Sequence, residues 1–366
     1  MYQVGNIILA IAIGVGAAIA GDDIDFDPDF GLEFVTIGDP GNEPYSKFGG
    51  ELYGDVDYEF RIACTEFNSG QYIDYFNNFL SADPDEFWSL FPNGDSSIRH
   101  DGPGIPLDLE QSLTCPRCAP VAMSFVQAAM ICNWLHNGQS DDRESLMNGA
   151  YEISFEYPIF FTNQAARHPD ARYWIPSYSE LLKATFYDPD KEGQGPGWWL
   201  YPHSSDEPPI SGLPGEGHIP RDLTLDELRP VFGGSVRLQT VPLGVYTDVQ
   251  SPWGLLDTLG GFQEWSETWK SENLIRRLTR SSNNTRTGWT FDEVYIDDAS
   301  HPRSFRGLRI ASAIPSRADL DRDWSVNWYD VSMFIQMYVE GNLSVDLNDD
   351  QQLDVNDVLR FLELVG

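Results

Sequence analysis

The chain has 366 residues, 57 acidic against 23 basic side chains, a formal net charge of −34 and 13% aromatic residues. That aromatic load argues against a disordered acidic tail, which lacks the apolar area to offset its ordering entropy. The charge argues against nucleic acid and against an anionic membrane surface, because both need clustered Lys and Arg. Cations, neutral ligands and basic surfaces remain as partners, and the length suggests about two domains at ~100–200 residues each.

In chain order, residues 1–20 read as a signal peptide. Ile7 to Ala20 is a small, apolar run, too short to span a ~30 Å hydrocarbon core. It ends in Ala18-Ile19-Ala20 before Gly21, the small-x-small pattern of a cleavage site, although no Lys or Arg precedes it. A secreted or periplasmic location is expected, with no membrane segment after cleavage. Residues 21–30, with Asp22, Asp23, Asp25, Asp27 and Asp29, read as an acidic connector. Export makes Cys64, Cys115, Cys118 and Cys132 candidates for pairing. Cys115-Pro116-Arg117-Cys118 has the spacing of a dithiol redox motif, yet Pro106 to Pro120 reads as loop. A structural disulfide there, two pairs that also use Cys64 and Cys132, and a redox dithiol all stay open.

Three helix starts fit the capping box, in which a small polar side chain and a Glu or Gln three residues on satisfy each other's amides. They are Asn68–Gln71, Ser124–Gln127 and Ser177–Glu180. The stripes behind them are expected to face the core: Tyr72, Tyr75, Phe76 and Phe79; Ala128, Ile131, Cys132 and Leu135; Leu181, Leu182 and Ala184. Residues 188–221 are loop by composition, and a short helix over Thr224 to Leu228 is expected to stop at Pro230.

The segment Ser251-Pro252-Trp253-Gly254-Leu255-Leu256-Asp257-Thr258-Leu259-Gly260-Gly261-Phe262-Gln263-Glu264-Trp265 sets an Asp and a Glu seven residues apart around a Gly-Gly bend. That chemistry suits a hard cation. The segment resembles the signature of the formylglycine-generating, sulfatase-modifying-factor family. Other segments agree in order: Glu66 with Asn68 and Tyr72; Val121 to Ser124 running into Cys132-Asn133-Trp134-Leu135; Tyr173-Trp174-Ile175-Pro176-Ser177 with Glu180; Val241-Pro242-Leu243-Gly244; and Arg306-Gly307-Leu308-Arg309-Ile310-Ala311. The resemblance covers nearly all of 31–313, sets a domain at 31–315 and implies a C-type-lectin-like α+β fold with little regular secondary structure. It also implies calcium held by Asp257, Glu264 and the carbonyls of Gly260 and Phe262. The family's redox cysteines fall where this chain has Arg276 to Asn284, and no cysteine follows Cys132. Six scattered histidines form no H-x-x-x-H pair for a nonheme-iron variant. No catalytic residue is therefore assigned. A noncatalytic module for a carbohydrate or peptide ligand is expected, with Arg280 and Trp289 lining its pocket and Trp198, Trp199 and Tyr201 as further stacking candidates. A divergent oxidoreductase is the alternative.

After Pro315 the character changes: residues 319–366 hold 11 acids against Arg322 and Arg360, and a repeat appears. Asp319, Asp321, Asp323, Asn327 and Asp330 recur as Asp346, Asn348, Asp350, Asp354 and Asp357, at positions 1, 3, 5, 9 and 12 of a calcium loop. Val326 and Leu353 at position 8 are expected to form a small bridge between the loops. Each loop runs into an amphipathic stretch. With Asp at position 12 and no helix before the first loop, 319–366 resembles a type I dockerin, which sets a small all-α domain at 316–366. That resemblance implies two calcium ions and a cohesin-like extracellular partner. Trp324 and Gln351 replace the glycine of position 6, and Trp328-Tyr329 and Val355-Asn356 replace the small hydroxyl residues of positions 10 and 11.

Overall fold

The computed structural model describes residues 24–27, 30–45, 52–82, 120–121, 123–156, 159–161, 166–220, 223–232, 241–259, 263–269, 276–280, 294–298 and 306–365. In chain order its elements begin with β1 (Ile24–Asp27), β2 (Leu32–Ile37), β3 (Phe60–Ala63), α1 (Ser69–Ala82), α2 (Phe125–His136) and α3 (Glu144–Met147). There follow β4 (Ser154–Glu156), β5 (Ile159–Phe161), β6 (Tyr173–Trp174), α4 (Tyr178–Phe186), β7 (Tyr187–Asp188), β8 (Gly197–Trp198) and α5 (Leu225–Phe232). The chain ends with β9 (Gln263–Trp269), β10 (Arg276–Arg280), β11 (Val294–Asp298), β12 (Arg306–Gly307), β13 (Ala311–Ser312), α6 (Trp328–Glu340) and α7 (Val355–Val365). This is a mixed helix-and-strand architecture with little regular structure, as the α+β reading expects.

The main sheet has the order β1-β2-β3-β13-β6, so its late strand β13 lies between two early ones. Ala311 faces Ile62 on one side and Trp174 on the other. Residues of β2 and β3 feed a core with α1 and α2, in which Phe34, Phe60, Phe67, Tyr72, Tyr75, Phe125 and Trp134 are buried. Aromatic edges set its packing: Tyr75 and Trp134 meet at 5.2 Å and Phe125 and Trp265 at 5.9 Å between ring centroids. A second sheet, β11-β10-β9-β12, joins this core through Trp265, whose indole N–H donates to the Met123 carbonyl at 2.8 Å.

All three expected capping boxes form. Asn68 and Gln71 bond reciprocally, and Ser124 with Gln127 and Ser177 with Glu180 do the same at the starts of α2 and α4. Each cap is worth about 1 kcal/mol. The stripes behind them are buried at every described position. The Phe79 side chain lies outside the described residues.

Two expectations change. Ile24–Asp27, inside the supposed connector, is a strand pairing antiparallel with β2. Helix α5 runs past Pro230 to Phe232. Proline removes one N–H and frees the Asp226 carbonyl four residues back, but both residues are exposed, so water can satisfy that carbonyl. Thr224 and Glu227 add a fourth reciprocal cap that the sequence reading missed. No helix among the described residues is long and apolar enough to cross a membrane. The supposed signal peptide, residues 1–20, lies outside them.

Candidate metal centre

The two C-terminal loops repeat one hydrogen-bond pattern. At position 1, Asp319 accepts the amides of Asp323 (3.1 Å) and Trp324 (2.8 Å), and Asp346 accepts those of Asp350 (3.3 Å) and Gln351 (2.6 Å). At position 12, Asp330 accepts Leu320 N–H (2.6 Å) and Asn327 N–H (2.8 Å). Asp357 does the same with Leu347 N–H (2.9 Å) and Asp354 N–H (2.8 Å). The position-9 residues cap the helices that follow: Asn327 accepts Tyr329 N–H and Asp354 accepts Asn356 N–H. Backbone shape agrees too. Arg322 and Asp349 at position 4, and Trp324 and Gln351 at position 6, all have positive φ between 59° and 66°. The sharp turn expected of a glycine is thus made twice by residues that pay steric strain for it.

Asp319, Asp321 and Asp323 each offer an oxygen within 4.8 Å of the others. Oxygens on opposite sides of one calcium ion, each bonded at about 2.3–2.6 Å, span about that distance. The donor set is all oxygen and fits a hard cation. In the second loop Asn348 supplies an amide oxygen in place of the middle carboxylate. Burial, aided by the negative Asp330, Asp323 and Asp321, pushes the Asp319 carboxyl above its ordinary range against the pull of the Trp324 amide it accepts. Burial pushes Asp357 the same way, but the amides it accepts outweigh this and hold it below the usual range.

The loops rest on their own core. Phe334 of α6 stacks on Phe361 of α7 at 4.2 Å, with Ala318, Val345 and Leu347 buried beside them. Val326 and Leu353 do not form the expected bridge among the described pairings; both side chains pack against this core instead. Hydrophobic contact rather than a strand pair joins the loops.

In the central domain, Asp257 and Glu264 do come together, around Arg309. The Arg309 side chain, 1% exposed, donates to Glu264 Oε1 at 2.9 Å and to the carbonyls of Ala63, Cys64 and Leu256. Asp257 accepts Gly244 N–H at 2.7 Å, and burial raises its carboxyl to about 6. The sequence reading missed Arg309 as a site residue. Its signal was a lone charge inside the apolar run Leu308-Arg309-Ile310-Ala311. Glu66, fully buried, also acts on Arg309. Among the described residues these carboxylates do not make a close ligand group like that of Asp319. Gly260 and Phe262 lie outside the described residues.

The other expected sites divide in the same way. Cys115, Cys118 and Trp289 lie outside the described residues, and Arg280 is placed only by its backbone, opposite Glu264 on β9. Cys64 and Cys132 are free and buried, so the reading with two pairs using them does not hold. Burial raises the Cys64 thiol to about 11 and pushes Cys132 well above its ordinary value, which leaves both as inert thiols. Trp199 and Tyr201 are buried, and Trp198 packs on Tyr45 and Tyr187, so these rings build core rather than an open stacking wall.

No protein-family model matches the sequence, and no curated protein matches it. Solved structures do. "Crystal Structure of CarF" aligns over 78% of this chain and 99% of its own at 16% identity, TM-score 0.46. "Treponema denticola variable protein 1" aligns over 77% and 95% at 14% identity, TM-score 0.43. "Structure of PvdO from Pseudomonas aeruginosa" aligns over 81% and 100% at 12% identity, TM-score 0.41. These are distant likenesses and fix neither a family nor an activity.

Proposed function

We propose that the chain is an exported calcium-binding protein. Its sulfatase-modifying-factor-like domain, residues 31–315, serves as a noncatalytic ligand-binding or scaffold module. Its dockerin-like unit, residues 316–366, takes two calcium ions and attaches the module to an extracellular partner. The observation that carries this reading is the repeated loop geometry: the same carboxylates accept the same amides in both copies. Asp319, Asp321, Asp323, Asn327 and Asp330 would hold one ion, and Asp346, Asn348, Asp350, Asp354 and Asp357 the other. Calcium would cancel the repulsion among carboxylates this dense, and an extracellular supply suits loops with affinities of ~10⁻⁴–10⁻³ M.

Asp257 and Glu264, with the carbonyls of Gly260 and Phe262, are the proposed ligands of a further central ion. Arg309 already neutralises part of that charge, so this site is expected to be weaker than the C-terminal pair. The partner surface is proposed on the exposed rings of Trp328 and Tyr329, about three-quarters accessible at the start of α6.

Isothermal titration of the full chain with calcium tests this. Two ions are expected at the C-terminal unit, falling to one in Asp319→Ala and to one in Asp346→Ala. Wild-type protein that takes up no calcium would sink the proposal.

A further inference from the structure

Trp324 stands where its loop would otherwise carry glycine, and its backbone accepts a left-handed φ of 66°. A bulky residue in that region is a rare outlier, which calls for a reason. The ring is half-buried, and what it packs on belongs to the central domain. It meets Tyr173 of β6 edge-on at 5.5 Å, and the guanidinium groups of Arg61 and Arg172 each stand 5.8 Å from its centroid. Arg61 also donates to Ser312 and Ala313, and Ala313 N–H donates to Arg172 O, so the socket is tied to the link between the two units. A cleft of about 500 Å³ beside it has Arg172 and His136 on one side and Asp319 and Trp324 on the other. The second loop supplies an internal comparison. Gln351 has the same backbone and the same amide bond to its position-1 carboxylate, yet its side chain is exposed.

We propose that the first loop is a metal-dependent clasp: cation binding fixes the turn that aims Trp324 into the Tyr173–Arg61–Arg172 socket, locking the C-terminal unit onto the central domain. The coupling runs through one residue. Trp324 N–H donates to Asp319 Oδ2, so the carboxylate that would ligate the ion also holds the turn that presents the ring. Without a cation, repulsion among Asp319, Asp321 and Asp323 opens this turn and withdraws the ring. The clasp rests on the calcium reading above, and it assigns the first loop a task that the second does not share.

Scanning calorimetry of the full chain, with calcium uptake measured in parallel, tests the clasp. Calcium-loaded wild type is expected to unfold both units in one transition, and chelator is expected to split it into two. Trp324→Gly supplies the residue the turn prefers, so it keeps its loop and still takes up two ions. Its transition is expected to stay split even with calcium bound. Gln351→Gly is expected to behave as wild type. A calcium-loaded Trp324→Gly protein that melts in a single transition at the wild-type midpoint overturns the clasp, as does chelated wild type that does so. Absence of calcium uptake by wild type overturns the two-ion reading and the clasp with it.

Discussion

Asp330 and Asp357 each close a loop and start a helix with one carboxylate. Both are fully buried, and each accepts amides from positions 2 and 9. Asp357→Ala should therefore destabilise the C-terminal unit even in chelator, by about 1–3 kcal/mol for the amides left unpaired. Urea unfolding followed at α6 and α7 would measure it. His203 makes a different prediction. Burial, and then the His218 ring 4.5 Å away, lower its value from 6.5 to about 4. The unfolded chain then binds a proton that the folded one refuses, so stability is lost as pH falls from about 6.5 towards 4. His203→Phe should flatten the fall in melting temperature over that window; an unchanged profile would show that other groups set it. At this scale the capping pairs were legible because their partners lie three residues apart. Arg309 was not, because its acceptors at residues 63, 64, 256 and 264 meet only once the chain has folded.

Helix α4 shows how an element gains a second duty. Glu180 closes its capping box through Ser177 N–H and also accepts from Arg167, Tyr58 and Trp174. Arg167 in turn bridges to Glu267 on β9, whose other oxygen takes the Tyr151 hydroxyl. Ser177→Ala should cost about 1 kcal/mol, the value of a cap. Arg167→Met should cost about 3–5 kcal/mol, because it strands two buried carboxylates. Thermal or denaturant unfolding that returned equal losses would refute the ranking. Cap signals with apolar stripes behind them located α1, α2 and α4, although α2 and α4 are buried on nearly every side. For α5 the expected short helix forms but its end was misplaced: among its described side chains only Leu228 is buried, and the proline looked like a stop.

On the scale of the molecule, the C-terminal unit has a core of five buried side chains and too little area to stand securely alone. Chelation is expected to remove hydrogen-exchange protection from α6 and α7 while leaving α2 and β3 protected. Calcium at a hundred times its dissociation constant would restore about 2.7 kcal/mol. Simultaneous loss of protection in both units would contradict that order. The placement of β13 between β3 and β6 bears on the chain's birth. A ribosome has released nearly everything before residue 311 emerges, so the early strands must wait, with an open seam, for their central partner. Polypeptides ended at residue 305 are expected to aggregate or be proteolysed rather than fold, as would nascent chains stalled there. If the chain is exported, as proposed above, that delay is useful, since an unclosed sheet is still threadable.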